Sequence, residues 1–235
     1  GTLVAVIAIR TATYQAPGAG NGAAAEVQLA AAPPVDLERA ASRLAEAVSF
    51  RTISHQDASE NDAAEWDRFH AWLADTYPAA HSAMTRELVA GHTLVYTWPG
   101  SDPALRPIVL LAHHDVVPVT PGTEPDWKHP PFAGVVADDA VWGRGAVDNK
   151  GSLIGLLEAI EALAASGFKP GRTIILVSGH DEEAGGAGAA AAAQLLKSRN
   201  VQAEFVLDEG LVVVADFPLL GRPVALIGIA EKGYG

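Results

Sequence analysis

Three times in this chain a short apolar run stops abruptly at histidines or acids. Residues 107–111 run into His113, His114 and Asp115; residues 172–178, RTIILVS, run into His180, Asp181, Glu182 and Glu183; residues 204–207 run into Asp208 and Glu209. The second run, with no polar alternation in its core, must be buried on both faces, as strands are in the parallel part of an α/β sheet. Helical patterns separate the runs. The order strand, polar end, helix, strand, polar end predicts a three-layer α/β/α domain with a mixed, largely parallel sheet. In such sheets the carboxyl ends of neighbouring strands share one edge and face a crevice. The three polar ends, and Asp148 just before a predicted helix, can therefore converge although they are far apart in sequence.

The flanking elements fit this plan. Leu37, Ala40, Ala41, Leu44, Ala47 and Val48 recur at helical spacing over residues 35–50, with Asp36 placed to cap. Residues 63–77 form a second amphipathic helix, with Trp66, Phe69, His70, Leu73 and Tyr77 on one face. His70 reads there as a core-edge residue, and His55, His81 and His92 have no evident partner. Residues 92–98 alternate as a strand ended by Pro99-Gly100; helices are expected at about 152–165 and 188–198, and further strands at 211–215 and 224–230. Residues 118–131, with five prolines, form an irregular loop.

The chain has 235 residues, no cysteine and a formal charge of −12. That charge argues against a nucleic-acid partner, which needs a basic face to neutralise phosphates. Without thiolates, a metal must be held by carboxylate and imidazole, a donor set that suits Zn, Mn or Co. Residues 1–9, GTLVAVIAI, are too short to span a bilayer. They read either as the remnant of an N-terminal anchor or signal segment or as an ordinary strand. With the Ala-, Gly- and Pro-rich stretch to residue 34 they form the expected first region, 1–34, ahead of a metal-binding domain over 35–230.

His113 and Asp115 make an H-x-D motif, in which a carboxylate can hold the ring nitrogen that a metal does not use. Alone, the motif also describes a polar turn after a strand. Likewise Glu182-Glu183 alone describes a solvated acidic turn. With a metal nearby, adjacent glutamates can divide labour, one binding and the other taking a proton.

Five segments, AHHDVVPV (112–119), WKHPPFAG (127–134), WGRGAVDNKG (142–151), GHDEEAGG (179–186) and VLDEG (206–210), occur in this order. In these the chain resembles the M20 family of metallopeptidases, and within it the carboxypeptidase S-like branch that includes N-acyl-amino-acid hydrolases. The resemblance runs from about Val35 to Lys232. It implies two metal ions, Zn²⁺ with Co²⁺ or Mn²⁺ as substitutes. His113 and Asp208 would be terminal ligands of one, Glu183 a terminal ligand of the other, and Asp148 the bridge. It implies Asp115 as the acid that orients His113, Glu182 as the general base, and a cis peptide after Asp148. His114 and His180 fall at variable places. The implied reaction is amide hydrolysis, releasing an amino acid from a peptide or an N-acyl amino acid. Deacylation of acetylated or succinylated amino acids, and a non-catalytic metal-binding relative, are the alternatives.

The resemblance also implies a lid or dimerisation domain beginning near residues 231–235, and a last histidine ligand beyond it. Lacking these, the chain is expected to hold one metal well and the second weakly. Homodimers would require the lid, and a membrane-anchored or exported location would follow from the N-terminal segment.

Overall fold

The computed structural model describes residues 34–210 continuously, together with residues 5, 6, 10, 13, 213–215 and 224–225. The chain divides into two compact units, residues 1–32 and 33–235. The anchor reading of residues 1–9 therefore lies almost wholly outside the described residues. Among the described residues no helix is long and apolar enough to cross a membrane.

The second unit is built on a five-stranded sheet. Its strands are β1 (Thr85–Val89), β2 (Thr93–Trp98), β3 (Ile108–Leu111), β6 (Ile174–Ser178) and β7 (Phe205–Leu207), in the spatial order β1-β2-β6-β3-β7. The pairings β6–β3 and β3–β7 are parallel, whereas β1–β2 and β2–β6 are antiparallel, so the sheet is mixed. A separate hairpin pairs β4 (Val135–Ala137) with β5 (Ala140–Trp142). Val213–Val214 pairs with Val224–Ala225 as β8 and β9.

The period-2 alternation of the strands sorts their side chains into two apolar layers. Leu94, Tyr96, Trp98, Leu110, Ile174 and Leu176 face three helices: α1 (Leu37–Ser49), α2 (Ala63–Thr76) and α4 (Lys150–Ala165). The short helix α3 (Pro78–Ala83) packs on the same side through Ala80, and Phe69, Leu73, Leu153 and Leu157 are sealed there completely. On the other face Val95, Val109, Ile175 and Val177 meet Ala192 and Leu196 of α5 (Ala187–Ser198). This is the three-layer arrangement read from the sequence.

Local chemistry sets the ends of these elements. The Asp36 carboxylate accepts from the Arg39 amide and caps α1, and Asp62 accepts from the Ala64 amide to cap α2. The C-terminal end of α1 is closed from a distance. Lys150 Nζ, fully buried at the start of α4, donates to the carbonyls of Ala47 (2.9 Å) and Phe50 (2.6 Å). That satisfies carbonyls that a helix end leaves open. Gly134 lies so close to the Ala45 carbonyl, at a φ of +57°, that any side chain would collide with it. This contact seats the proline-rich loop against α1.

Most sequence expectations match to within two or three residues at each end. Helix α4 begins at Lys150, two residues ahead of the expected start. Two expectations do not match. β1, with the sequence TRELV, was not anticipated, because it is a largely exposed edge strand with no apolar run. His81 is not without a partner: Nδ1 lies 2.9 Å from the Tyr77 carbonyl and Nε2 3.2 Å from the Tyr96 hydroxyl.

Candidate metal centre

The parallel register of β3, β6 and β7 brings their carboxyl ends to one edge. The ladder continues past the strands, with the Ala112 amide donating to Val177 O (3.1 Å) and the His114 amide to Gly179 O (2.9 Å). His113 thus emerges beside the 3₁₀ turn Glu182–Ala184 that follows β6. The peptide between Asp148 and Asn149 is cis, and Asn149 leads directly into α4.

Two overlapping groups form at this edge, each with donor atoms within 4.8 Å of one another: His113, Asp148 and Glu183; and His113, Glu182 and Glu209. His113 Nε2 lies 2.8 Å from Asp148 Oδ1, 3.7 Å from Glu209 Oε2 and 3.9 Å from Glu182 Oε2. The imidazole is nearly sealed, whereas Asp148, Glu182 and Glu209 are substantially exposed. A buried imidazole thus meets carboxylates that are open to solvent.

Asp115 holds the arrangement together from below. It is fully buried. Its Oδ1 lies 3.2 Å from His113 Nδ1 and accepts the Glu182 amide at 3.2 Å. Its Oδ2 accepts the Glu183 amide at 3.1 Å and the Ser54 hydroxyl at 2.5 Å. Ser54 is delivered by residues 52–54, which pair alongside Val116 through the bridge Ile53–Val116.

The electrostatics call for a cation. Burial works to discharge His113. The hydrogen bond and charge of Asp115, the charge of Glu209 and the bond to Asp148 outweigh it and hold the imidazole up at about 9. Glu183 is pushed above the usual carboxylate range by burial and then by the charge of Asp148; Glu209 is raised first by burial, with Asp148, Glu182 and Asp208 adding to it. One imidazole among four carboxylates, with no thiolate, fits a divalent ion bound through oxygen and nitrogen. The ion would relieve the repulsion that this cluster carries without one.

Of the residues singled out in the sequence, His113, Asp115, Asp148, Glu182 and Glu183 come together. Asp208 belongs to neither group: its Oδ1 accepts the amide of Glu209 at 2.9 Å. Its neighbour Glu209 enters instead, with Oε2 accepting from Asn149 Nδ2 at 2.6 Å. Glu209 was legible only as part of the acidic end of a strand. Ser54 carried no local signal, since its role depends on pairing with a segment 61 residues away. His114, set aside in the sequence, points into the core, with Nδ1 2.8 Å from Ser178 Oγ and the ring beside Phe69.

The chain is similar to known proteins. Residues 109–219 match the model of peptidase family M20/M25/M40. The chain is 43% identical over 204 residues to the probable carboxypeptidase S-like 2 of Dictyostelium discoideum, an alignment covering 84% of this chain and 39% of that protein. It is 37% identical over 190 residues to the human N-fatty-acyl-amino acid synthase/hydrolase PM20D1, covering 80% and 37%. Human carnosine dipeptidase 1 superposes with a TM-score of 0.60 at 23% identity, over 77% of this chain and 43% of that one, a likeness of fold. The chain spans about two fifths of the length of these curated relatives. The matched segment, residues 109–219, holds every residue of the two donor groups at the sheet edge, and over that segment the chain is similar to peptidase family M20/M25/M40.

Proposed function

We propose that this chain carries the metal-binding half of a hydrolase that cleaves an amide bond and releases an amino acid from a peptide or an N-acyl amino acid. The observation that carries this reading is Glu182. Its carboxylate is half exposed beside the group formed by His113, Asp148 and Glu183, while its amide is fixed by Asp115. A site that merely binds metal has no use for a free carboxylate next to its ligands.

His113, Asp148 and Glu183 would hold divalent ions, with Asp148 shared between two and zinc as the native metal. Asp208 would complete the set. Among the described residues its exposed carboxylate accepts from the neighbouring Glu209 amide, whereas Glu209 is tied to Asn149. The ions, when bound, acidify water and polarise an amide carbonyl. Asp115 keeps Nδ1 of His113 occupied, through its main-chain carbonyl at 3.1 Å and its carboxylate at 3.2 Å, and so leaves Nε2 for the acidic cluster. Glu182 accepts a proton from water and returns it to the leaving amine. The names of two relatives, one a carboxypeptidase and one an N-fatty-acyl-amino acid hydrolase, support the substrate class.

The test is Glu182→Ala in the zinc-loaded full-length protein, assayed against dipeptides and N-acyl amino acids. Turnover should fall by at least about 100-fold with metal content unchanged. Undiminished turnover would overturn the assignment.

A further inference from the structure

A separate group of donors lies on the other side of His114. Asp67 and His70 sit three residues apart on α2, hence on one face, and His92 reaches them from the turn between β1 and β2. Donor atoms of the three lie within 4.8 Å of one another.

The geometry does not suit a hydrogen-bonded cluster. His92 Nδ1 is sealed from solvent and has no hydrogen-bond partner; the atom it approaches, Asp67 Oδ1, is 3.6 Å away. An orphaned buried nitrogen is costly unless something fills the gap. Two ligands about 2.0–2.1 Å from a tetrahedral ion stand about 3.3–3.4 Å apart, close to this separation. The rings are also held in place. His92 stacks on Trp66 with centroids 5.2 Å apart, and His70 Nε2 meets His114 Nε2 at 3.3 Å. Asp67 is about three-quarters exposed and provides an entry path.

We propose that Asp67, His70 and His92 form a further metal site, distinct from the centre at His113, that takes a borderline divalent ion such as Zn²⁺, Co²⁺ or Cu²⁺. Two imidazoles and one carboxylate favour these ions over Mg²⁺ or Ca²⁺, which prefer oxygen. The bound ion pins the β1–β2 turn to α2. The inference does not rest on the hydrolase reading, because it uses none of the residues assigned there.

The test compares the metal-stripped full chain with His92→Phe, which keeps a ring against Trp66, and with Asp67→Asn at an exposed position. Equilibrium dialysis against Co²⁺ should count one equivalent more in the parent than in His92→Phe. Asp67→Asn should weaken that equivalent by at least about tenfold. Electron spin-echo spectra of the Cu²⁺-loaded parent should show an ion with two imidazoles, a signature that the described part of the His113 centre, with its single histidine, does not give. Equal stoichiometry and affinity in the parent and the variants, or no two-imidazole signal, would overturn the proposal. Should His92→Phe fail to fold, the Asp67→Asn affinity decides.

Discussion

Asp115 Oδ1 lies 3.2 Å from His113 Nδ1 and accepts the amide of Glu182 at the same distance, so one buried carboxylate sets the position of both a metal donor and the proposed base. Burial alone would raise its pKa, but the bonds from His113 and Ser54 prevail and keep it below the usual carboxylate range. Asp115→Asn preserves shape and removes the charge. Metal affinity should drop by about 10–100-fold, measured by competition with a chromophoric chelator. An unchanged affinity would show that His113 needs no such support.

The pair Asp208 and Glu209 separates two assignments. If the exposed Asp208 turns to the ion, Asp208→Asn lowers zinc retention through dialysis more than Glu209→Gln does. The reverse order would assign the ligand to Glu209, whose Oε2 lies 3.7 Å from His113 Nε2.

Lys150 should matter for stability. Burial lowers its pKa to about 7, yet Nζ is the donor that reaches the Phe50 carbonyl past the end of α1. Lys150→Met keeps the stem and strips the donor. An unpaired carbonyl then costs about 1–3 kcal/mol, readable as a shift in the urea midpoint with unchanged slope.

His70 gives a pH signature. Burial, and then the neighbouring His92 and Arg86, hold its pKa down to about 4, against 6.5 for a free imidazole. Between these values the unfolded chain binds a proton that the folded chain refuses. Stability from this ring is therefore full above about 6.5 and lost as pH falls toward 4, at up to about 1.4 kcal/mol per pH unit. In EDTA, the stability gap between the parent and His70→Phe should narrow from pH 7 to pH 5 in urea titrations. A constant gap would contradict the lowered pKa.

The sequence revealed most where burial leaves an unambiguous pattern. RTIILVS had to be an inner strand, and Asp36 ahead of Leu37 had to start a helix. His113, Asp115, Glu182 and Glu183 were readable as neighbours because strand ends in such a sheet share an edge, and Asp148 by its place just ahead of a helix. What was not readable depends on register or on fine backbone direction. Nothing local in Ser54 says that it will meet Asp115, and nothing in Asp208-Glu209 says which carboxylate turns toward His113. Nor could the helix spacing of Asp67 and His70 show that the β1–β2 turn would bring His92 within reach. TRELV stayed hidden because an exposed edge strand does not need apolar residues.

His113 and His114 are consecutive, one facing the acidic cluster and the other the core. Side chains alternate along an extended chain, so a slip of β3 by one residue against β6 would exchange them. The misregistered protein would still present an imidazole at the sheet edge, but with the Asp115 carboxylate turned away from it and from the glutamate amides. The hydrogen bonds Ala112–Val177 and His114–Gly179 therefore hold the register that keeps His113, and not His114, beside the acidic cluster.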